Sequence, residues 1–538
     1  MRTNAESLWV FAVASKYKSY TCFNIFLVSV LASALAWFVM NLIYWAHPGG
    51  PAWGKHEWMK KRNKSKNNSN TFSSGPVIPG PKGFPIIGSM RLMTGLAHRK
   101  LAAVSKACGA TRLMAFSLGE TRVIITSNPS VAKEILNNCV FADRPVKESA
   151  YSLMFNRAIG FAPYGVYWTT LRRIAATHMF CPKQIKAFEA QRFDIAHQLV
   201  NMFKVQRGNV TNIREGLRKA SLSNMMGSVF GRTYGLDSEA EELRKLVDEG
   251  YDLLGMLNWS DHLPWLAELD LQGIRARCTN LVPQVNQYVS RIISKHQHNP
   301  DKLMSDFVDV LLSLQGRENL SHSDMVAVLW EMIFRGTDTV AVLMEWTLAR
   351  VVLHRDVQSR LHKELDTIVG QSRAVTEADI SSLVYLPAVL KEVLRLHPPG
   401  PLLSWARLAV TDTTVDGHHV PAGTTAMVNM WAITRDPNVW EDPLSFKPER
   451  FLNEAPEVEF SVMGSDLRLA PFGSGRRACP GKALGLTTVT FWVASLLHEF
   501  EWGSSSDSGV DLSETLKLSC EMANPLVAKV KARRVHKK

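Results

Sequence analysis

Seven cysteines in 538 residues are few and too scattered to act together. Cys22, Cys108, Cys139, Cys181, Cys278, Cys479 and Cys520 contain no C-x-x-C pair. That excludes a recognisable zinc-finger pattern and disfavours a disulfide framework, so a reducing, cytosolic compartment is expected for the body. No G-x-G-x-x-G follows a strand-like run, so no nicotinamide or flavin site is expected. Charge is missing altogether from Ser19 to Ala46. Acidic residues are scarce in two places. Lys55, Lys60, Lys61, Arg62, Lys64 and Lys66 enclose only Glu57, and Lys529–Lys538 has six basic residues and no acidic one. With these segments set aside, the net charge of +13 nearly vanishes, which excludes a nucleic-acid-binding body.

The uncharged stretch 22–45, CFNIFLVSVLASALAWFVMNLIYW, is expected to be a membrane anchor. As a helix its 24 residues span about 36 Å against roughly 30 Å of hydrocarbon. Trp37, Tyr44 and Trp45 suit the interface. The basic cluster after the span places the body on the cytosolic side and residues 1–21 in the lumen. A shorter run, 8–15, could be a signal-peptide core with Ala12-x-Ala14, but Glu6 and its brevity weigh against that. N-x-S/T sequons at Asn209, Asn258 and Asn319 would carry glycans only in the opposite orientation.

Residues 46–80 read as a basic linker and proline hinge: 63–75 is polar and aperiodic, and Pro76, Pro79, Pro81 and Pro85 stiffen the connection to the body. Residues 81–538 show no second linker and no internal repeat. Spacings of three and four in VAKEILNN, EELRKLVDEGYDLLGML and VQSRLHKELDTIV predict helices. The β-like runs RLMAFSLG, RVIITS and HHVPAGTTAMVN are few, so the expected class is mainly α with small β-sheets.

The stretch 470–500, APFGSGRRACPGKALGLTTVTFWVASLLHEF, carries the chemistry. Pro480 suits a first helical position, which puts Cys479 at the expected N-cap. There the free N–H groups favour thiolate, and Gly473, Gly475 and Gly481 let backbone approach the sulfur. Such a thiolate is a nucleophile or a metal ligand. No His or Asn is placed to serve as its base, whereas a haem iron takes a single axial thiolate and its propionates suit Arg476 or Arg477.

Phe472, Gly475, Arg477, Cys479 and Gly481 make the spacing F-x-x-G-x-R-x-C-x-G. It resembles the haem-binding loop of cytochromes P450. KEVLR, with Glu392 and Arg395, and PERF, with Arg450, resemble that family's Glu-Arg-Arg cluster. YWTTLRR, with Trp168 and Arg172, and PLLSWAR, with Arg407, resemble its propionate-contacting elements. FADRPVKESAY, RAIGFAPYGVYW, LGMLNWSDHLPWL and FRGTDTVA point more narrowly to plant microsomal P450s resembling subfamily 78A.

The resemblance implies a cytochrome P450 fold with one N-terminal transmembrane helix in the endoplasmic reticulum membrane. It implies heme b with Cys479 as axial ligand, and Arg477, Trp168, Arg172, Arg407, Phe472 and Gly473 around the cofactor. It also implies O2 as co-substrate, NADPH–cytochrome P450 reductase as electron donor and a lipophilic substrate. A fatty acid or related growth-signal precursor fits the subfamily's role in organ and seed growth. Arg173, Lys183 and Lys482 are candidates to meet the reductase's acidic surface.

VLWEMIFRGTDTVAV (328–342) then stops being a flawed core helix. Gly336, Asp338 and Thr339 match the family's A/G-G-x-D/E-T-T/S. Reducing O2 needs two protons per turnover, with Asp338 to feed them and the Thr339 hydroxyl beside the oxygen. Thr339 is also expected to bond the Arg335 carbonyl four residues back. Val340 stands where a second hydroxyl is usual, and Arg335 where Ala or Gly is. Arg335 either pairs with Glu331, the favoured reading, or enters the pocket to meet a substrate carboxylate. Phe334, Arg335, Leu402 and Leu403, with 149–162 and the turn near Glu521, are the expected pocket walls. Asp324, Glu331, Asp338 and Glu345 recur every seven residues and form one acidic seam. The alternatives are a P450-type hydroperoxide isomerase or dehydratase and a non-catalytic haem-binding membrane protein.

Overall fold

The structure, a computed structural model, describes residues 4–67, 76–205, 210–231, 241–298, 306–403, 406–452, 460, 462, 466–505 and 509–534. Its axis is the helix His322–Leu353, apolar on most sides and therefore buried on most sides. The Ser321 hydroxyl caps its start by accepting from the Asp324 N–H at 3.2 Å. Ile213–Phe230 crosses one flank and Lys482–Glu499 another. The core divides around this axis. One cluster joins Leu343, Trp346, Val389, Phe491 and Trp502; the other joins Phe155, Leu246, Val289, Trp330 and Phe334.

The expected strands pair into small sheets. Met114–Leu118 and Thr121–Thr126 form an antiparallel hairpin. The second strand pairs in parallel with Thr425–Val428, Val123 facing Thr425, and Arg407–Leu408 closes the edge. A two-stranded hairpin, Glu514–Leu516 with Cys520–Met522, hangs over the central helix.

The segment expected to anchor is helical over Asn4–Trp45, of which Phe23–Trp45 is apolar and long enough to cross a bilayer. Phe23, Ile25, Phe26, Leu31 and Leu35 are exposed along it. Residues 46–80 differ from the expected linker, because Pro51–Asn67 is a helix. Pro51 opens it, and Ala52 and Trp53 are buried under the sheet. Trp53 Nε1 donates to the Phe116 carbonyl at 3.1 Å, and the Ala52 N–H to Ser117 Oγ at 3.0 Å. Farther on, the Pro79 carbonyl accepts from the Ala115 N–H at 2.9 Å. The part of the polar linker at 68–75 and Asn209 lie outside the described residues. Asn258 is buried, its amide donating to Glu148 at 3.0 Å.

Candidate active site

A cavity of about 270 Å³ opens between the central helix and the loop before Lys482–Glu499. Cys479 lines it and is the only cysteine to do so among the described residues. Cys520 lies elsewhere, in a buried group with His98 and Glu514, where burial pushes its thiol up.

Cys479 stands two residues ahead of the expected place. The helix begins at Lys482 with Gly481 as its N-cap, so Cys479 and Pro480 belong to the preceding turn. The turn is held from within: the Cys479 N–H donates to the Phe472 carbonyl at 2.9 Å and the Ala478 N–H to the Gly475 carbonyl at 3.1 Å. Gly475, at φ +66°, requires the missing Cβ, which would strike the Leu136 carbonyl. Although the thiol is open to the cavity, the surrounding protein desolvates it and pushes its pKa up. The Gly481 N–H, Arg335, Arg172 and Lys482 oppose it by favouring thiolate.

Charge in the cavity is lopsided. Arg144, Arg172, Arg335, Arg407 and Arg477 line it against one carboxylate, Glu331. Burial, then mutual repulsion, lowers the guanidinium of Arg407 to about 9; for Arg477, burial is the main cause of a fall to about 10. Arg477 gives its donors to the carbonyls of Ala142 (2.8 Å), Ile159 (3.0 Å) and Ala162 (2.6 Å). Arg172 Nη1 donates to the Ala478 carbonyl at 3.0 Å, and Arg407 Nη2 to the Ser474 carbonyl at 3.2 Å. The Trp168 ring lies 4.3 Å under the Arg477 guanidinium carbon, its N–H spent on the Ile159 carbonyl. Clustered cations in a largely apolar cavity fit a flat, apolar ligand carrying carboxylates, as a haem does.

Arg144, between Asp143 and a proline, is the cavity arginine to which the sequence motifs gave no role. It donates to the carbonyls of Gly160 (3.2 Å) and Ala406 (3.1 Å). It lies in the stretch FADRPVKESAY, quoted above for its family likeness, which gives the arginine no role until the fold places it.

On the opposite wall the central helix contributes Met332, Arg335, Gly336, Thr339, Val340 and Leu343. Arg335 both pairs and lines the cavity. Its Nη1 lies 3.6 Å from Glu331 Oε1, and that carboxylate also accepts from the Gly160 N–H at 2.8 Å. Thr339 does not make the expected back-bond. Thr337 does, donating to the Ile333 carbonyl at 2.7 Å, while Thr339 is exposed to the cavity. Asp338 faces the other way, into a polar cavity of about 260 Å³, with Arg218 Nη2 3.4 Å from its carboxylate. Burial raises its pKa.

Two expected pocket residues are elsewhere. Phe334 is fully buried, stacked on Tyr251 at 4.4 Å, because the helical turn points it into the core when Arg335 faces the cavity. Leu402 packs on the cluster of Met90 and Phe116, whereas Leu403, at φ +57°, turns into the cavity.

Behind the site, the Glu392 carboxylate accepts two bonds of 2.7 Å from Arg395 and one of 3.2 Å from Arg450. Arg395 also reaches the carbonyls of Thr434, Pro443 and Ser445. This network ties the helix Tyr385–Leu396 to the segment leading to the cysteine loop.

The fold and this cavity define a haem-thiolate protein, and comparison with known proteins agrees. The family described as Cytochrome P450 matches residues 78–527, and the chain belongs to that family. It is a haem monooxygenase. Within the family it is 78A-like. It is 63% identical over 536 residues to Cytochrome P450 78A6 of Arabidopsis thaliana, covering 99% of this chain and 100% of that one. It is 65% identical over 530 residues to Cytochrome P450 78A9 of the same plant, with 97% of each covered. Flavonoid 3'-monooxygenase of Arabidopsis thaliana is 35% identical over 489 residues, 88% of this chain and 93% of that one. A solved zebra fish cytochrome P450 with progesterone superimposes at a TM-score of 0.71. It is 25% identical and covers 81% of this chain and 99% of that one.

Proposed function

We propose that Cys479 is the axial ligand of a heme b and that the protein hydroxylates a lipophilic small molecule. A fatty acid or related growth-signal precursor is the substrate class, and NADPH–cytochrome P450 reductase supplies the electrons. The single observation that carries this is a lone cysteine facing Thr339 across a cavity rimmed by Arg172, Arg407 and Arg477. When bound, the haem supplies O2 reduction and insertion of one oxygen atom into a C–H bond.

The chain's own residues supply the rest. Arg144, Arg172, Arg407 and Arg477 would hold the propionates, with Trp168, Phe472 and Gly473 against the cofactor. Met225, Met332, Val340, Leu343, Leu394 and Leu403 present an apolar wall that excludes water and favours a lipophilic substrate. Thr339 keeps a hydroxyl in the cavity that no helix carbonyl has claimed, and Asp338 is the proton source behind it. An isomerase or a silent haem binder has no use for that pair. The apolar helix Phe23–Trp45 anchors the protein in the endoplasmic reticulum membrane, with the basic residues at 55–66 holding the catalytic body on the cytosolic face.

Purified protein mixed with reductase is expected to consume O2 in an NADPH-dependent way. With substrate identified by comparing metabolites with and without active enzyme, Thr339→Ala should keep consuming O2 while product per O2 falls about tenfold. Unchanged coupling would overturn the role given to Thr339.

A further inference from the structure

Asp338 and Thr339 are adjacent in sequence yet face different spaces. Thr339 lines the haem-side cavity and not the polar one; Asp338 lines the polar one and not the haem-side cavity. A proton held by Asp338 therefore needs a way across. Two residues line both cavities, Tyr251 and Ser519.

Tyr251 is built as a wall. Its hydroxyl donates to the Phe334 carbonyl at 2.6 Å, and its ring stacks on Phe334. Burial pushes its pKa further up, so it keeps its proton.

Ser519 differs. It lines the polar cavity beside Asp338, whose carboxyl its side chain helps to stabilise, and it borders the haem-side cavity as well. It is buried, 5% exposed, at the tip of the hairpin Glu514–Leu516 and Cys520–Met522. Two backbone bonds fix that tip: the Ser519 carbonyl accepts from the Lys517 N–H at 3.1 Å, and the Cys520 N–H donates to the Pro399 carbonyl at 2.8 Å. A hydroxyl can accept one proton while releasing another, which neither a backbone group nor the committed Tyr251 can do here.

On the far side of Asp338 the polar cavity is lined by Arg218, Arg244, Lys517, Asp248, Asp252 and Glu521. Arg218 Nη2 lies 2.6 Å from Glu521 and 3.4 Å from Asp338, so one guanidinium balances both carboxylates.

We propose that Ser519 is the relay that carries a proton from Asp338 into the haem-side cavity, and that the polar cavity is where Asp338 is reprotonated. The relay rests on Asp338 as proton source. In the step, the O–H bond of the Asp338 carboxyl breaks as Ser519 Oγ takes the proton. The hydrogen that Ser519 already carried passes to water on the haem side. Asp338 is left as a carboxylate beside Arg218 until water in the polar cavity returns a proton. No electron moves.

The test uses full-length haem-loaded protein with reductase in membranes. Ser519→Ala should lower product per O2 about tenfold and raise the solvent deuterium isotope effect on product formation. Ser519→Thr, which keeps the hydroxyl, should restore both. Ser519→Cys, nearly isosteric but a weak donor, should behave like the alanine variant, so that a folding defect in the latter does not decide the outcome. Away from turnover, the infrared carboxyl band that disappears in Asp338→Asn should shift in Ser519→Ala and Ser519→Cys but not in Ser519→Thr. If Asp338→Asn loses coupling while Ser519→Ala and Ser519→Cys keep it and leave the band in place, the relay is overturned and Asp338 stands. If Asp338→Asn keeps full coupling, the proton-source role fails and the relay with it.

Discussion

Gly160 shows how little room the pocket's charged corner has. A Cβ there would strike both Glu331 Oε1 and Arg335 Nη1, and the Gly160 N–H is itself a ligand of that carboxylate. Burial drives the Glu331 pKa up, and Arg335 with the backbone donors restrains it. Gly160→Ala is expected to cost about 2 kcal/mol of stability through overpacking and to push Arg335 off Glu331. Thermal unfolding of the purified variant checks this; a melting temperature equal to the parent's would refute it. Sequence spacing anticipated the Glu331–Arg335 pair, since i, i+4 geometry is local. The third partner, 171 positions away, was invisible because no periodicity links it to the helix.

At the scale of elements, the acidic seam of the central helix is paired with cations along its length. Each acid meets an arginine: Asp324 meets Arg157, Glu331 Arg335, Asp338 Arg218 and Glu345 Arg214. The period of seven placed the acids on one face; the fold put neighbouring elements there. The buried triad on Tyr385–Leu396 behaves likewise. Glu392 and Arg395 have no exposed side-chain surface, so removing one partner leaves a buried charge. Glu392→Gln is expected to destabilise by about 3–5 kcal/mol, seen as a lower urea midpoint and poor haem incorporation. A midpoint unchanged from the parent would show the pair to be dispensable. The start of the cysteine helix was misplaced by two residues because proline suits the turn before a helix as well as its first position.

For the whole molecule, buried histidines set the response to acid. His262 and His362 are lowered from 6.5 to about 4, chiefly by burial. Between those values the unfolded chain binds protons that the folded one refuses, so stability falls as pH drops from about 6.5 to 4. Asp261 works against them. Burial raises it from 3.8 to about 6, so it gains a proton in the folded state over much of the same window. His397, lowered to about 3 chiefly by burial, adds to the loss, so these three histidines outweigh Asp261. Urea unfolding at stepped pH should show midpoints falling across that range, and rising midpoints would contradict the assignment.

The long apolar N-terminal helix, the helical class, the cysteine loop and most of the residues that line the cavity follow from sequence alone, because hydrophobic period, proline and glycine placement and short motif spacing are local properties of a chain. The docking of Pro51–Asn67 under the sheet, the arginine count around the cavity, and the presence of two distinct cavities where Asp338 and Thr339 point were decided only by tertiary structure. Those features depend on which surfaces close against each other, and burial, cavity shape and charge balance exist only once they have closed.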